Sequence, residues 1–169
     1  MFPAVVCRQP QSSASLRFGF RPSAGEIKLL SVPETFLHTH RVTYAECTLG
    51  NHIYYGRYLE LLEAARGEFF RHLGRTFLDW QNEGTIFPVI ECRLRYKHPA
   101  EYDAVLTTKV WVTTAERVRL NLAYRVLNQA GALVLEADTF HACTGLDEGP
   151  KRLPKELISL LVPFLETNP

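Results

Sequence analysis

One long amphipathic stretch, followed by a run of strand-like segments, restricts this chain more than any other feature. From Gly56 to Leu73 the apolar residues Tyr58, Leu62, Ala65 and Phe69 recur at spacings of four, three and four. That is the repeat of an α-helix with one buried face, and the stretch has room for about five turns. Gly74 follows directly, the residue type that commonly ends a helix. A helix with a single apolar face needs a surface to cover it.

The surface comes from the segments around it. Thr85–Tyr96, Ala104–Thr114, Val118–Leu127 and Ala132–Thr144 read as strands, rich in β-branched and aromatic residues. In the third, Val118, Leu120, Leu122, Tyr124 and Val126 alternate with Arg117, Arg119, Asn121 and Arg125. Pro99 and the Asn128-Gln129-Ala130-Gly131 run mark turns. Glu34–Tyr44 also alternates, ahead of the helix. Thr76–Gly84 is a connection with room for one helical turn. Pro154–Leu165 reads as a short amphipathic helix with Pro154 at its start. The order strand, long helix, four strands, short helix predicts an α+β domain. The short turns predict that the four strands form an antiparallel meander, with the helix across one face.

Composition sets outer bounds. The chain has 169 residues, the size of one domain with its own core. A net charge of +1 gives no global field toward nucleic acid, and no recognised nucleic-acid motif is present. No apolar run is long enough to span a membrane. Cys7, Cys47, Cys92 and Cys143 are scattered without a paired spacing, which reads as free thiols in a reducing compartment. His38 and His40 share one strand face without a supporting carboxylate, so no metal site is expected, and no cofactor. No GxSxG elbow occurs, which excludes an α/β-hydrolase. Residues 1–33 contain Arg8, Arg17 and Arg21 with several serines, and no acid before Glu26. They form an N-terminal extension to a domain at 34–169. That composition leaves organelle targeting as the alternative to a cytoplasmic location.

The run Tyr44-Ala45-Glu46-Cys47-Thr48-Leu49-Gly50-Asn51-His52-Ile53-Tyr54-Tyr55-Gly56-Arg57-Tyr58-Leu59-Glu60, with Glu63-Ala64-Ala65-Arg66 after it, resembles the signature of the 4-hydroxybenzoyl-CoA thioesterase family. Leu49 to Tyr58 also resembles thioesterases of enediyne polyketide pathways. The resemblance implies a hotdog fold, in which a curved antiparallel sheet wraps the long helix. It implies homodimers or tetramers with active sites at subunit interfaces. It also implies hydrolysis of an acyl-CoA or acyl-carrier-protein thioester, with the carbonyl near the N-terminus of the long helix. Orphan N–H groups and the positive dipole end suit an oxyanion there, and by position Tyr55 and Gly56 are the expected donors.

The family's catalytic Asp falls on Thr48, whose hydroxyl has no useful anionic form at neutral pH. Three readings follow. A helix carboxylate takes over, Glu63 first and Glu60 behind it. Or Asn51, Thr48 and Tyr54 orient a water at the helix N-terminus. Or the domain binds an acyl thioester, or serves as a scaffold, without hydrolysing it. A hotdog dehydratase is a further reading without a matching motif. Glu63 is alternatively half of an i, i+3 ion pair with Arg66. Glu46 is a candidate carboxylate or a loop cap. His52 and Tyr54 are candidate substrate contacts, and Arg117, Arg119 and Arg125 suit CoA or carrier phosphates. Lys97, His98, Lys151 and Arg152 are further cations of that kind. Leu62, Phe69, Trp111 and Phe140 are expected in an acyl pocket or core.

Overall fold

A computed structural model describes residues 33–166; the N-terminal extension falls almost entirely outside them. The chain runs β1 (Phe36–Arg41), α1 (Arg57–His72), α2 (Phe77–Asn82), β2 (Val89–Tyr96), β3 (Val105–Glu116), β4 (Arg119–Asn128), β5 (Leu133–Ala142) and α3 (Lys155–Leu161). Five strands form one antiparallel sheet in the order β1-β3-β4-β5-β2. The class is α+β, as expected.

The expected four-strand meander needs correcting. Only β3, β4 and β5 follow one another as hairpins, whereas β2 pairs with β5 and not with β3. The reason lies in the connections. Arg117-Val118 joins β3 to β4, and residues 129–132 join β4 to β5, both short enough to force hairpins. Residues 97–104 instead cross the N-terminal end of α1, where Ala100 O accepts from Ile53 N at 2.9 Å. They deliver the chain to the far side of the sheet. There β1 already holds one flank of β3, with Phe36 opposite Val110 and Arg41 opposite Val105.

The inner sheet face carries Leu106, Val110 and Val112 of β3, Leu120, Leu122 and Val126 of β4, and Leu135 of β5, all buried. Helix α1 lays Tyr58, Leu61, Leu62, Ala65, Phe69 and Phe70 onto it. Removing Leu62, which is 2% exposed, to Ala costs about 2–5 kcal/mol. The helix ends one turn-closing step earlier than the pattern suggests: His72 is the last helical residue. Gly74 follows the cap at φ +91°, donating to Arg71 O, while Arg75 N reaches Phe70 O. That closes the last turn as a Schellman motif, which needs a residue at ease with positive φ.

The first strand is also shorter than its alternation suggests. Thr43 and Glu46 form a capping box over a 3-10 turn at Tyr44–Glu46, which diverts the chain into the loop before α1. Similarly, Pro163 cuts α3 short and leaves a 3-10 turn at Val162–Phe164. Thr76 and Asp79 cap α2, and Trp80 buries beneath the Arg75 guanidinium, 3.9 Å from its ring centre.

Candidate active site

An open cleft of about 270 Å³ lies between α1 and the β2 side of the sheet, lined by Leu59, Leu62, Glu63, Arg66, Val89, Cys92, Tyr124 and Thr139. Its walls follow from two periodicities. Leu59, Leu62, Glu63 and Arg66 share one helix flank by i, i+3 and i, i+4 spacing. Cys92, Tyr124 and Thr139 are inward positions of β2, β4 and β5, with Cys92 opposite Thr139 in register.

Among the helix carboxylates only Glu63 opens onto this cleft, and no described residue pairs with it. The anticipated Glu63–Arg66 pair is absent. Arg66 Nη1 lies 3.0 Å from His141 Nδ1, and its guanidinium sits over the Phe77 ring. Glu60 is engaged by Arg57 at 2.6 Å. Glu46 is a cap: it accepts from Thr43 N and Oγ1, both at 2.6 Å, and meets His40 Nε2 at 2.8 Å. Partial burial opposes its charge, but the Thr43 hydrogen bonds and His40 outweigh that and hold its carboxyl below the usual range.

The loop candidates sit elsewhere in the same subunit. Thr48 and Asn51 line a separate surface depression with Tyr44, Cys47 and Leu49. Thr48 Oγ1 donates to His52 O at 3.3 Å, and Asn51 turns the loop at φ +59°. His52 and Tyr55 border a third depression with Tyr58, Tyr96 and Pro99, joined by Lys97 and His98. Tyr54 packs against Tyr55 with the rings tilted by 48° and their centres 4.5 Å apart. Tyr96 donates its hydroxyl to Tyr55 O at 3.2 Å, which fixes the peptide leading into α1. The N–H groups of Tyr55 and Gly56 have no acceptor among the described residues. They point from the positive end of a sixteen-residue helix.

The arginines divide. Arg117 is in the β3–β4 turn at φ +52°, not on a strand face. Arg117 and Arg119 edge a shallow depression apart from the cleft. Arg125 lies on the outer sheet face over Trp111. Of the expected acyl-lining residues, Leu62 reaches the cleft and Phe69 is core, but Trp111 and Phe140 occupy the outer face, where Phe140 meets Arg93. Lys151 Nζ ties down Gly84 O and Thr85 Oγ1.

Sequence reasoning overlooked the polar inner wall. Tyr124 donates to or accepts from Thr139 Oγ1 at 3.1 Å, and Thr139 Oγ1 lies 2.8 Å from His141 Nε2. A signal existed: these three, like Thr108 of β3, are polar residues on inward positions of otherwise apolar strands. Burial and the nearby Arg66 charge push His141 down to about 4, so its ring is neutral at ordinary pH.

A long helix wrapped by a curved antiparallel sheet, with an open cleft along the helix, defines a hotdog domain. The family described as 4HBT, Thioesterase superfamily, matches residues 50–135, and the chain belongs to it. It is 28% identical over 102 residues to the putative acyl-CoA thioesterase YneP of Bacillus subtilis, covering 60% of this chain and 74% of that one. It is 28% identical over 120 residues to the acyl-CoA thioester hydrolase YbgC of Escherichia coli, covering 70% and 90%. Among solved structures, a DHNA-CoA thioesterase from Staphylococcus aureus superposes with TM-score 0.67 at 29% identity, covering 70% of this chain and 80% of that one. The protein is a thioester hydrolase.

Proposed function

We propose that the protein hydrolyses an acyl-CoA thioester in the cleft beside α1, with Glu63 as the carboxylate that attacks the carbonyl or activates water. The observation that carries this is the Glu63 side chain: it borders the cleft and is unpaired among the described residues, while Glu60 and Glu46 are committed to Arg57 and Thr43. The relatives' names support a CoA ester as substrate. The Tyr55 and Gly56 N–H groups are the proposed oxyanion donors, with Thr48, Asn51, His52 and Tyr54 shaping the loop around the thioester.

Helix geometry supports a site shared between two copies. Glu63 follows Gly56 by seven residues, about 10 Å along the axis at 1.5 Å per residue. Side-chain lean toward the helix N-terminus recovers only part of that. One carbonyl cannot sit about 3–3.5 Å from both groups of the same subunit. Strand β2 is a sheet edge whose Val89 and Ile90 are exposed, a surface suited to a second copy. In that arrangement one subunit supplies the helix N-terminus and its partner supplies Glu63. Arg117 and Arg119 then remain as exposed cations for the CoA phosphates. Free Cys47, Cys92 and Cys143 fit a reducing, cytoplasmic setting. No helix among the described residues is long and apolar enough to cross a membrane.

Thiol release measured over short, long and aromatic acyl-CoAs tests the proposal. Turnover on at least one is expected. Silence on every ester, with tight acyl-CoA binding and turnover gained by Thr48→Asp, supports a binding module instead.

A further inference from the structure

Helix α1 carries three arginines, and they differ in what faces them. Arg57 and Arg71 are exposed and pair with Glu60 and Glu68, each at 2.6 Å. Arg66 turns inward to line the cleft, and no carboxylate among the described residues pairs with it. Its guanidinium lies against the His141 ring, 3.0 Å from Nδ1 and 3.4 Å from Nε2, and its central carbon is 5.1 Å from the centre of the Phe77 ring. Neither ring supplies a negative charge. The other polar groups of the inner wall, Cys92, Tyr124 and Thr139, are uncharged too, since burial raises the Cys92 thiol and takes the Tyr124 phenol to about 12. Arg66 Nε is buried with no hydrogen-bond partner among the described residues. A cation drawn out of water without an opposite charge is unfavourable, and an anion entering the cleft offsets that. The planar fork of a guanidinium matches a carboxylate, and Leu59, Leu62 and Val89 suit a hydrocarbon spacer leading to one.

We infer that Arg66 is a specificity-determining anchor for an anion: it selects acyl groups that carry a second carboxylate a few carbons beyond the thioester, the monothioesters of dicarboxylic acids, over hydrocarbon chains of equal length. This rests on the reading of the cleft as the acyl site. It does not depend on which carboxylate performs hydrolysis. Glu63 faces the same cleft three residues earlier, about 4.5 Å along the helix, and repels a second carboxylate. Selection therefore favours one spacer length, the one that sets the ligand's anion beside Arg66 and away from Glu63.

A series of ligand charges tests it. The probes are CoA thioethers, which cannot be hydrolysed, with alkyl chains of matched length ending in a carboxylate, a methyl or an ammonium group. Calorimetric titration of the full chain should show one carboxylate-ended length binding about tenfold tighter than its methyl-ended counterpart. The ammonium-ended analogue of that length should bind more weakly than either. Arg66→Gln should abolish the carboxylate gain and keep the affinity for the methyl-ended chain. Glu63→Gln should enlarge the gain, which locates the ligand's anion near Arg66 even where Arg66→Gln does not fold. The inference is overturned if no carboxylate-ended analogue outbinds its methyl-ended counterpart, if no analogue binds, if the gain survives in folded Arg66→Gln, or if Glu63→Gln leaves it unchanged. An equal gain at every length overturns it too, because the anion then meets a surface cation. Thiol release by the wild type separates the two readings: a carboxylate gain without turnover contradicts hydrolysis alone, and turnover without the gain contradicts the anchor alone.

Discussion

Arg66 on α1 reaches His141 on β5 at 3.0 Å, across the inner wall of the cleft. The bond takes the guanidinium away from Glu63, three residues earlier on the same helix flank. It thereby ties the helix to the sheet and leaves a carboxylate at the cleft without a counter-ion among the described residues. The arrangement also keeps a neutral imidazole in a nearly closed interior, which gives the fold a measurable acid sensitivity.

His141 titrates at about 4 in the folded protein, below the ordinary histidine value of 6.5. The unfolded chain therefore binds the extra proton first as pH falls. This contribution to stability is complete above pH 6.5 and is lost as pH drops from there toward about 4, to the order of 3 kcal/mol. Urea unfolding at pH 7 and pH 4.5 should show this loss, and His141→Gln should shrink it. Equal pH slopes in both proteins would show that the ring is not held neutral by its surroundings.

Gly74→Ala tests the helix terminus alone. The glycine sits at φ +91°, and a methyl group there meets nothing within 4 Å. The expected loss of about 1 kcal/mol is purely conformational. A thermal melt should record it while thiol release stays at the wild-type level.

Some of this was legible in the chain and some was not. The helix, its glycine stop and every strand announce themselves, because periodicity is local and strong over Tyr58–Phe69 and Leu120–Val126. The place of β2 does not, because strand pairing is settled by where residues 97–104 lead the chain and by β1 occupying β3. At the site, Glu63 could be nominated from its helix position. Its freedom could not, since that depends on Arg66 finding His141 seventy-five positions away. Trp111 and Phe140 looked like pocket residues by type, and only strand register turns them to the outer face. Tyr124, Thr139 and His141 are polar groups on inward positions that the alternation alone passes over, and a cleft beside them is a tertiary fact.

A shared site has a signature in mixed oligomers. Gly56 has φ −68°, which proline adopts, so Gly56→Pro removes a proposed oxyanion donor, at the cost of displacing the exposed Tyr54 ring and shifting Tyr55 within its turn. A loss of about 10²-fold in kcat is expected. Co-expressed Gly56→Pro and Glu63→Gln subunits should then regain activity, since one of the two sites in a mixed dimer is intact. For random pairing the recovery is roughly a quarter of wild type. A mixture as inactive as its parents places both groups in one subunit.

The most direct measurement of the central claim is kcat for thiol release by Glu63→Gln beside Glu60→Gln, on the best acyl-CoA found for the wild type. Glu63 is exposed and unpaired among the described residues, so its replacement leaves the fold intact and a change reports on chemistry. The account predicts a fall of about 10²-fold or more for Glu63→Gln and near wild-type turnover for Glu60→Gln. Full activity in Glu63→Gln would contradict it.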